Sequence, residues 1–384
     1  MARRSKLDKQ LDDLAERFVP QIKAAFLAAI ADVKSTAVLQ GIIDAIQAGD
    51  IDAAFRATGL SPAAMRPITS MIETAFERGG VTVANSAPRS ITDNMGNRAV
   101  FRFDVRNSRA EAWLREHSSE LVTRISNDTR ANIRDLVEAG VRDGRNPRNI
   151  ALDIVGRINP DTGRRSGGVV GLTEPQKQWV DFGRKQLKAV GADYDVLLAS
   201  DSRFGAFVQK AYPKGLPVDR DVRSNLVARY SSEYFTREAR DKRFDSIVRK
   251  AIASGEPLSE QKINAIVDKY SDNLLLQRGE TIARTESIQS LNKSADEAFQ
   301  QAIDEGVIAS NAVFKIWDSA GDNRVRETHR EMDGQRVSMD RPFVSPDGAQ
   351  LMYPGDSSMG APGSDVINCR CRVRHEVDWL ADID

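Results

Sequence analysis

Apolar residues recur at steps of three and four through most of the first 300 residues, which is the period of one face of an α-helix. In residues 7–33 this stripe consists of Leu7, Leu11, Leu14, Phe18, Ile22, Phe26 and Ile30. Pro20 interrupts the stripe and is expected to kink or split the helix, because proline cannot donate an intrahelical hydrogen bond. Similar patterns predict further helices at 35–48, 61–78 and 109–157.

Two features stand out in the central part of the chain. A segment rich in glycine, 158–172, predicts a connector or a hairpin, and Thr173 is placed to cap the helix that follows it. A longer helical period runs from Ile263 to about residue 304, with Gly279 as its one weak point. A helix of this length favours a bridging or assembly role over a compact active site.

The pattern changes after Gly306, where short β-prone pieces replace the helical period. The stretch AVFKIW at 312–317 predicts a strand, and residues 342–356 predict a hairpin that turns at Pro346-Asp347-Gly348. We therefore predict an α+β fold, mainly α-helical with long helices in its N-terminal and central regions and with a small C-terminal α+β module. The predicted divisions are 1–105, 106–305 and 306–384.

Charge and composition narrow the class of protein. The formal net charge is zero, but residues 1–280 carry more basic than acidic side chains, and residues 281–384 carry the reverse. This asymmetry permits contact with nucleic acid or between the two parts of the chain. No stretch approaches the roughly 20 apolar residues of a membrane span, so we expect a soluble protein, made in a cytoplasm, without a membrane partner.

Both cysteines of the chain lie in VINCRCRVRHEV, residues 366–377, and two of the three histidines lie in the same C-terminal part. Two thiols and two imidazoles form a ligand set that suits structural zinc. The candidate metal ligands are therefore His329, Cys369, Cys371 and His375, with zinc as the candidate cofactor. A disulfide between Cys369 and Cys371 would be strained at this spacing.

A regular strand over 366–377 argues against that metal site. Cys369, Cys371 and His375 would then share one face, with successive side chains about 6.6 Å apart, farther than two thiolates on one zinc ion approach. This geometry favours cysteines that pack into the core, with no cofactor, and arginines on the opposite face. The two alternatives stay open at the level of sequence.

Two further types of site are weighed in the same way. A catalytic cysteine would need His329 or His375 as its base and Asp333 or Glu376 to orient it, but neither cysteine follows a predicted helix N-terminus, and no catalytic residue is assigned.

Residues 227–250 are predicted to be helical and basic. This stretch is either a solvated helix face or a DNA-contacting surface, with Arg237, Arg240, Lys242 and Arg243 as the contacts.

Three stretches together resemble the phage head morphogenesis family typified by the Mu protein F, whose members are also described as minor head or minor capsid proteins. They are GRINPDTGRRSGGVVGLTEPQ, YSDNLLLQRGETIARTE, and the run from WDSAGDNRVRETHREMDGQ to DVINCRCRV. The resemblance covers about residues 110–375 and is most specific from Ile282 to Val373. Arg284, Thr285 and Glu286 match family motif positions that carry no defined role.

The resemblance implies a minor virion component of a tailed phage, located in the head near the portal and assembled in the host cytoplasm. It implies the portal protein as a partner, with major capsid or scaffolding protein and packaged double-stranded DNA as further candidates. An influence on DNA packaging or ejection follows from such a position, and no enzymatic activity is expected. The alternative is a metal-assisted nuclease or hydrolase that uses the C-terminal His/Cys cluster.

Overall fold

The computed structural model describes residues 5–88 and 100–378. The α-helices within these residues are α1 Lys6–Thr36, α2 Leu39–Ala48, α3 Ile51–Ala57, α4 Arg66–Ser86, α5 Ser108–Arg142, α6 Pro147–Val155, α7 Glu174–Lys188, α8 Tyr194–Ser200, α9 Ser202–Ala211, α10 Arg220–Ser232, α11 Asp245–Ser254, α12 Glu260–Asp304, α13 Glu327–Glu331 and α14 Gly363–Val366. The strands are β1 Arg157–Ile158, β2 Arg165–Ser166, β3 Val313–Asp318, β4 Arg336–Ser338, β5 Phe343–Val344, β6 Gln350–Leu351 and β7 Arg372–Val377. The prediction of a mainly helical α+β fold with a small C-terminal strand region is confirmed.

Contacts between residues divide the chain into two compact units. Unit 1 comprises Met1–Ala29, Pro62–Val122 and Gly279–Asp384, and unit 2 comprises Ile30–Ser61 and Thr123–Arg278. Helices α1, α5 and α12 each contribute residues to both units. The division of the chain at residues 105 and 305 stays a prediction.

The two long helices tolerate the residues that were expected to weaken them. Helix α1 runs through Pro20 without a break, and α12 runs for 45 residues through Gly279. A Cβ atom at Gly279 would lie 3.2 Å from Phe26 Cδ1, so glycine here permits close packing on α1. No single helix of the described residues is long and apolar enough to cross a membrane; α1 and α2, bent by 72°, pass that test only as a pair.

The sheet of unit 1 is antiparallel, with the strand order β4-β3-β7. Its central strand β3 places Trp317 opposite Val373, and the indole is fully buried. The ring of Phe343, in the neighbouring hairpin β5–β6, meets the Trp317 ring edge-on at 5.3 Å. The strand predicted at 312–317 and the hairpin predicted at 342–356 are both confirmed.

In unit 2, the glycine-rich segment forms the antiparallel hairpin β1–β2. Gly168 follows it with a φ of 76°, and a Cβ atom there would overlap the backbone of Ile154 and Gly156. Thr173 then begins α7 with a capping box, in which its Oγ1 accepts from the Gln176 N–H and Gln176 Oε1 accepts from the Thr173 N–H. The backbone is therefore tightly constrained at the start of α7.

A buried carboxylate organises the charged interior of unit 2. Asp153 accepts hydrogen bonds from Arg145 at 2.6 Å, Arg157 at 2.7 Å and Arg184 at 3.0 Å. Burial by itself would raise the pKa of Asp153, but the charges of Arg184 and Arg157 outweigh it and hold this pKa below its usual value. One carboxylate on α6 therefore offsets three guanidinium groups, which come from the loop before α6, from β1 and from α7.

We expect Asp153→Asn to lower the free energy of unfolding of the full chain by about 3 kcal/mol, because it leaves three partly buried guanidinium groups without their carboxylate. Urea denaturation followed by circular dichroism measures the loss. Asp143→Asn is the matched control, since Asp143 pairs with Arg142 at 3.6 Å on the surface and should cost less than about 1 kcal/mol. Equal losses in the two variants would contradict the role given to Asp153.

Candidate functional site

The segment that carries the cysteines is not the regular strand that was predicted for 366–377. Strand β7 begins only at Arg372, and Asn368 adopts a left-handed conformation with a φ of 57°. The Asn368 N–H donates to Thr285 Oγ1 at 3.0 Å, which fixes this turn against α12. The turn redirects the chain just before Cys369, so the spacing of about 6.6 Å for a flat strand does not apply to the two thiols.

Both cysteines face the same histidine. His329 lies on α13, and its Nδ1 atom is 3.6 Å from the Sγ of Cys369 and 3.6 Å from the Sγ of Cys371. The three ligand atoms all lie within 4.8 Å of one another, and each of the three residues is at most 2% exposed. The Nε2 atom of His329 faces Asp365 Oδ1 at 3.5 Å.

The two thiols interact electrostatically because they are buried side by side. A hydrogen bond between them lowers the pKa of Cys369, against the effect of burial, and the same bond together with burial raises the pKa of Cys371. Of the two thiols, Cys369 is therefore the one that ionises first.

The fourth candidate ligand lies elsewhere in unit 1. The Nε2 atom of His375 is 3.9 Å from Asp296 Oδ1, and the imidazole stacks on Phe299 with 4.3 Å between the ring centroids. Lys315 lies in the same buried group, 3.9 Å from Asp296, and donates to the Met352 carbonyl oxygen at 2.9 Å. The structure thus brings three of the four predicted ligands together and places His375 in a separate polar group.

The His375 group gives unit 1 a dependence on pH. Burial lowers the pKa of His375, so the folded chain favours the neutral imidazole. As the pH falls through the unfolded value of about 6.5, the unfolded chain binds a proton that the folded chain does not, and stability declines.

We expect the free energy of unfolding to fall less between pH 7.5 and pH 5 in His375→Gln than in the wild type, because glutamine has no proton to take up. Urea denaturation at a series of pH values measures the two slopes. If the free energy of unfolding changes with pH equally in the two proteins, His375 is not the source of this pH dependence, whatever their absolute stabilities.

The family motif positions on α12 make internal contacts. Glu286 Oε2 lies 2.5 Å from His117 Nε2 on α5, and the His117 ring stacks on Trp113 at 4.5 Å. Thr285 receives the hydrogen bond of the cysteine segment described above, while Arg284 pairs with Glu280 at 2.8 Å near the surface. Two of these three residues therefore hold helices and loops of unit 1 together.

Two further residues of α12 were missed by sequence reasoning. Asn292 Nδ2 donates to the carbonyl oxygens of Pro354 at 2.8 Å and Cys371 at 3.2 Å, while Asn292 Oδ1 accepts from the Val373 N–H at 3.2 Å. Gln289 Nε2 donates to the Gly355 carbonyl oxygen at 2.5 Å. With Asp296, these residues are spaced three and four apart, so polar side chains that recur at helical period along α12 were the available signal.

We expect Asn292→Ala to destabilise the chain by about 2 kcal/mol, because it leaves a buried backbone N–H and two carbonyl groups without their partner. Gln300→Ala is the control on the same helix: the Gln300 side chain bonds only Asp304, at the surface, and its loss should cost less than about 0.5 kcal/mol. Thermal or urea denaturation compares the two. A similar loss of unfolding free energy in both variants would contradict the structural role given to Asn292.

A cavity of about 490 Å³ in unit 1 borders the thiol–imidazole cluster. Cys369 is one of its lining residues, and the others include charged side chains of both signs: Asp12, Glu16, Glu280, Arg284, Asp322, Arg370 and Arg372. Arg370 is bound to Asp322 by two hydrogen bonds of 2.5 Å, and Arg372 is bound to Asp12. The cavity is therefore lined by compensated charges rather than by one sign of charge.

The predicted basic helix at 227–250 is interrupted. Helix α10 ends at Ser232, 3₁₀ turns occupy Glu233–Thr236 and Lys242–Phe244, and α11 starts at Asp245. The interruption arises because Asp241 accepts from the Arg243 N–H and caps a new turn. The prediction of one continuous helix was wrong.

The four candidate DNA contacts on this segment differ in their surroundings. Arg237 donates to Gln186 Oε1 at 3.0 and 3.1 Å, and Arg240 donates to Asp245, both within unit 2. Lys242 is exposed, and Arg243 is exposed while also pairing with Asp241 at 2.6 Å. DNA contact stays a prediction for this segment, with Lys242 and Arg243 as its accessible residues.

The carboxylates considered for catalysis are engaged elsewhere. Asp333 Oδ1 accepts from the Ser319 N–H at 2.8 Å, and Glu376 lies at the surface, 3.5 Å from both Arg336 and Arg374. The carboxylate that faces His329 is Asp365, which the sequence did not single out. A short helix, α14, places it there.

Comparison with known proteins identifies the class of protein. Residues 242–374, about a third of the chain, match the family described as Phage Mu protein F like protein. The match includes all of α12, most of the sheet of unit 1 and the thiol–imidazole cluster. The predicted resemblance to phage head morphogenesis proteins is confirmed for this part of the chain.

Two curated relatives are more specific. The chain is 38% identical over 64 residues to Minor head protein GP7 of Bacillus phage SPP1, which covers 17% of this chain and 20% of that protein. It is 29% identical over 104 residues to NAD(+)–arginine ADP-ribosyltransferase EFV of Enterococcus faecalis, which covers 26% of this chain and 19% of that protein. The chain thus matches about a fifth of the length of each. No solved structure matches it significantly.

Proposed function

We propose that the protein is a minor component of a tailed-phage head that binds the portal during procapsid assembly. The observation that carries this proposal is the match of residues 242–374 to the Phage Mu protein F like family, supported by the similarity to a minor head protein. The virion, near the portal, is then its location, and the host cytoplasm is where it is assembled.

The geometry supports a binding protein more than a hydrolase. The family motif residues Thr285 and Glu286 form internal contacts that hold the cysteine segment and α5 against α12. Asp333 and Glu376, the carboxylates that a nucleophilic site would need, have partners of their own. ADP-ribosyl transfer is not part of the proposal, because the family match of residues 242–374 is to the Phage Mu protein F like family and the enzyme relative has no comparable support.

Contact with packaged DNA and with capsid or scaffolding protein extends the proposal. The excess of basic residues in 1–280 supports a DNA-facing surface, and exposed Lys242 and Arg243 are its first candidates. A protein that contacts both portal and DNA would influence packaging or ejection. Binding of this kind weakens steeply with salt, since it releases counterions from phosphate.

The test is quantitative mass spectrometry of purified heads assembled with the full chain, together with co-purification on portal rings. We expect a fixed copy number far below that of the major capsid protein, and retention of the chain on portal rings. Gln300→Ala should behave as the wild type, whereas Asn292→Ala should be incorporated less because unit 1 is weakened. Consistent absence of the wild-type chain from assembled heads would overturn the proposal.

A further inference from the structure

We propose that His329, Cys369 and Cys371 bind a zinc ion, with Asp365 as the carboxylate that orients His329. The ligand atoms are the Nδ1 of the imidazole and the two Sγ atoms, and a water molecule fills the fourth position. The proposal rests on distances, burial and donor chemistry in unit 1. It is independent of the role proposed for the protein in the phage head.

The two sulfur–nitrogen distances are close to those of a tetrahedral zinc site. With Zn–S bonds of about 2.3 Å and a Zn–N bond of about 2.0 Å, tetrahedral angles place sulfur and nitrogen about 3.5 Å apart. Both Sγ–Nδ1 distances in the structure are 3.6 Å. Ordinary packing of three side chains does not require two equal distances of this value.

Hydrogen bonding alone accounts for the cluster less well. A neutral imidazole whose Nε2 carries the proton has a single lone pair on Nδ1, which accepts one S–H donor well. Here two sulfur atoms approach the same Nδ1 at equal distance, so only one thiol can donate to the nitrogen, and the other has the neighbouring sulfur, a weak acceptor, as its partner. A metal ion between the three atoms uses the nitrogen lone pair and both sulfur atoms at once.

The donor set and its charge select zinc over other biological cations. Thiolate and imidazole are ligands of zinc, whereas magnesium and calcium take oxygen ligands. Two thiolates neutralise the double positive charge of zinc, and this matters because Cys369, Cys371 and His329 are at most 2% exposed. A neutral cluster avoids the large cost of burying an uncompensated ion.

The surroundings of His329 fit a metal ligand. Its Nε2 faces the buried carboxylate of Asp365 at 3.5 Å, which favours the tautomer that leaves Nδ1 free for the metal. On the other side, Cys369 borders the cavity of about 490 Å³, from which a water molecule has access to the ion. The bound ion would join α13 to the segment before β7, 40 and 42 residues farther along the chain.

The test is metal analysis of the full chain, purified without chelator, by inductively coupled plasma mass spectrometry. We expect about one equivalent of zinc in the wild type and less than about a tenth in His329→Ala and Cys371→Ser. His375→Gln is the matched control, because this histidine lies outside the cluster, and it should retain the full equivalent. Equal loss of zinc from His375→Gln, with its circular dichroism unchanged, would overturn the assignment of ligands.

A second measurement does not depend on the folding of the variants. Titration of metal-free wild type with cobalt(II) should produce a thiolate-to-cobalt charge-transfer band and the visible bands of tetrahedral cobalt, both reversed by zinc. Asp365→Asn should retain these bands but bind zinc about 10- to 100-fold more weakly, as expected for a partner that orients a ligand. Wild type with less than a tenth of an equivalent of zinc and no such cobalt bands would refute the site.

Discussion

The C-terminal part of unit 1 depends on the polar side chains that α12 buries. A long helix that packs against irregular loops meets backbone N–H and carbonyl groups that no strand satisfies, and each would be costly to leave unpaired. Asn292 satisfies three of them, in the loop at Pro354 and in the segment at Cys371 and Val373. Gln289 satisfies a fourth at Gly355. Through these bonds the helix sets the path of the chain on both sides of the cysteines.

This path explains why the thiols converge. Thr285, about one turn before Gln289, accepts the N–H of Asn368 and stabilises its left-handed turn. The turn directs Cys369 toward His329, and the bond from Asn292 fixes the backbone at Cys371. The family motif on α12 and the cysteine motif near residue 370 are therefore in direct contact and position the thiols together, although more than 80 residues separate Thr285 from Asn368.

The sequence predicts the regular elements of this fold better than the site. Helical period identifies α1 and α12, because it reports which face of the helix is buried, and a short β-prone apolar stretch identifies β3. The cysteine segment has the composition of a strand, yet its turn depends on a contact with Thr285. The local sequence around Asn368 cannot reveal a contact with a residue so distant in the chain. The break within 227–250 was missed for a related reason: the helical spacing of the basic residues does not report that Asp241 caps a turn and that Asp245 pairs with Arg240. Asp365 escaped notice because α14, which positions it, is only 4 residues long.

The same contacts bear on how the protein works. A buried side chain whose hydrogen-bonding groups are paired within the fold cannot also bind a partner. Thr285 on α12, which bonds the cysteine segment, is such a side chain. Binding of the proposed partner then falls to exposed positions, such as Arg284 at the edge of the charged cavity. The buried thiol–imidazole cluster belongs with the internal contacts, because it lies between α13 and the segment that α12 already holds in place.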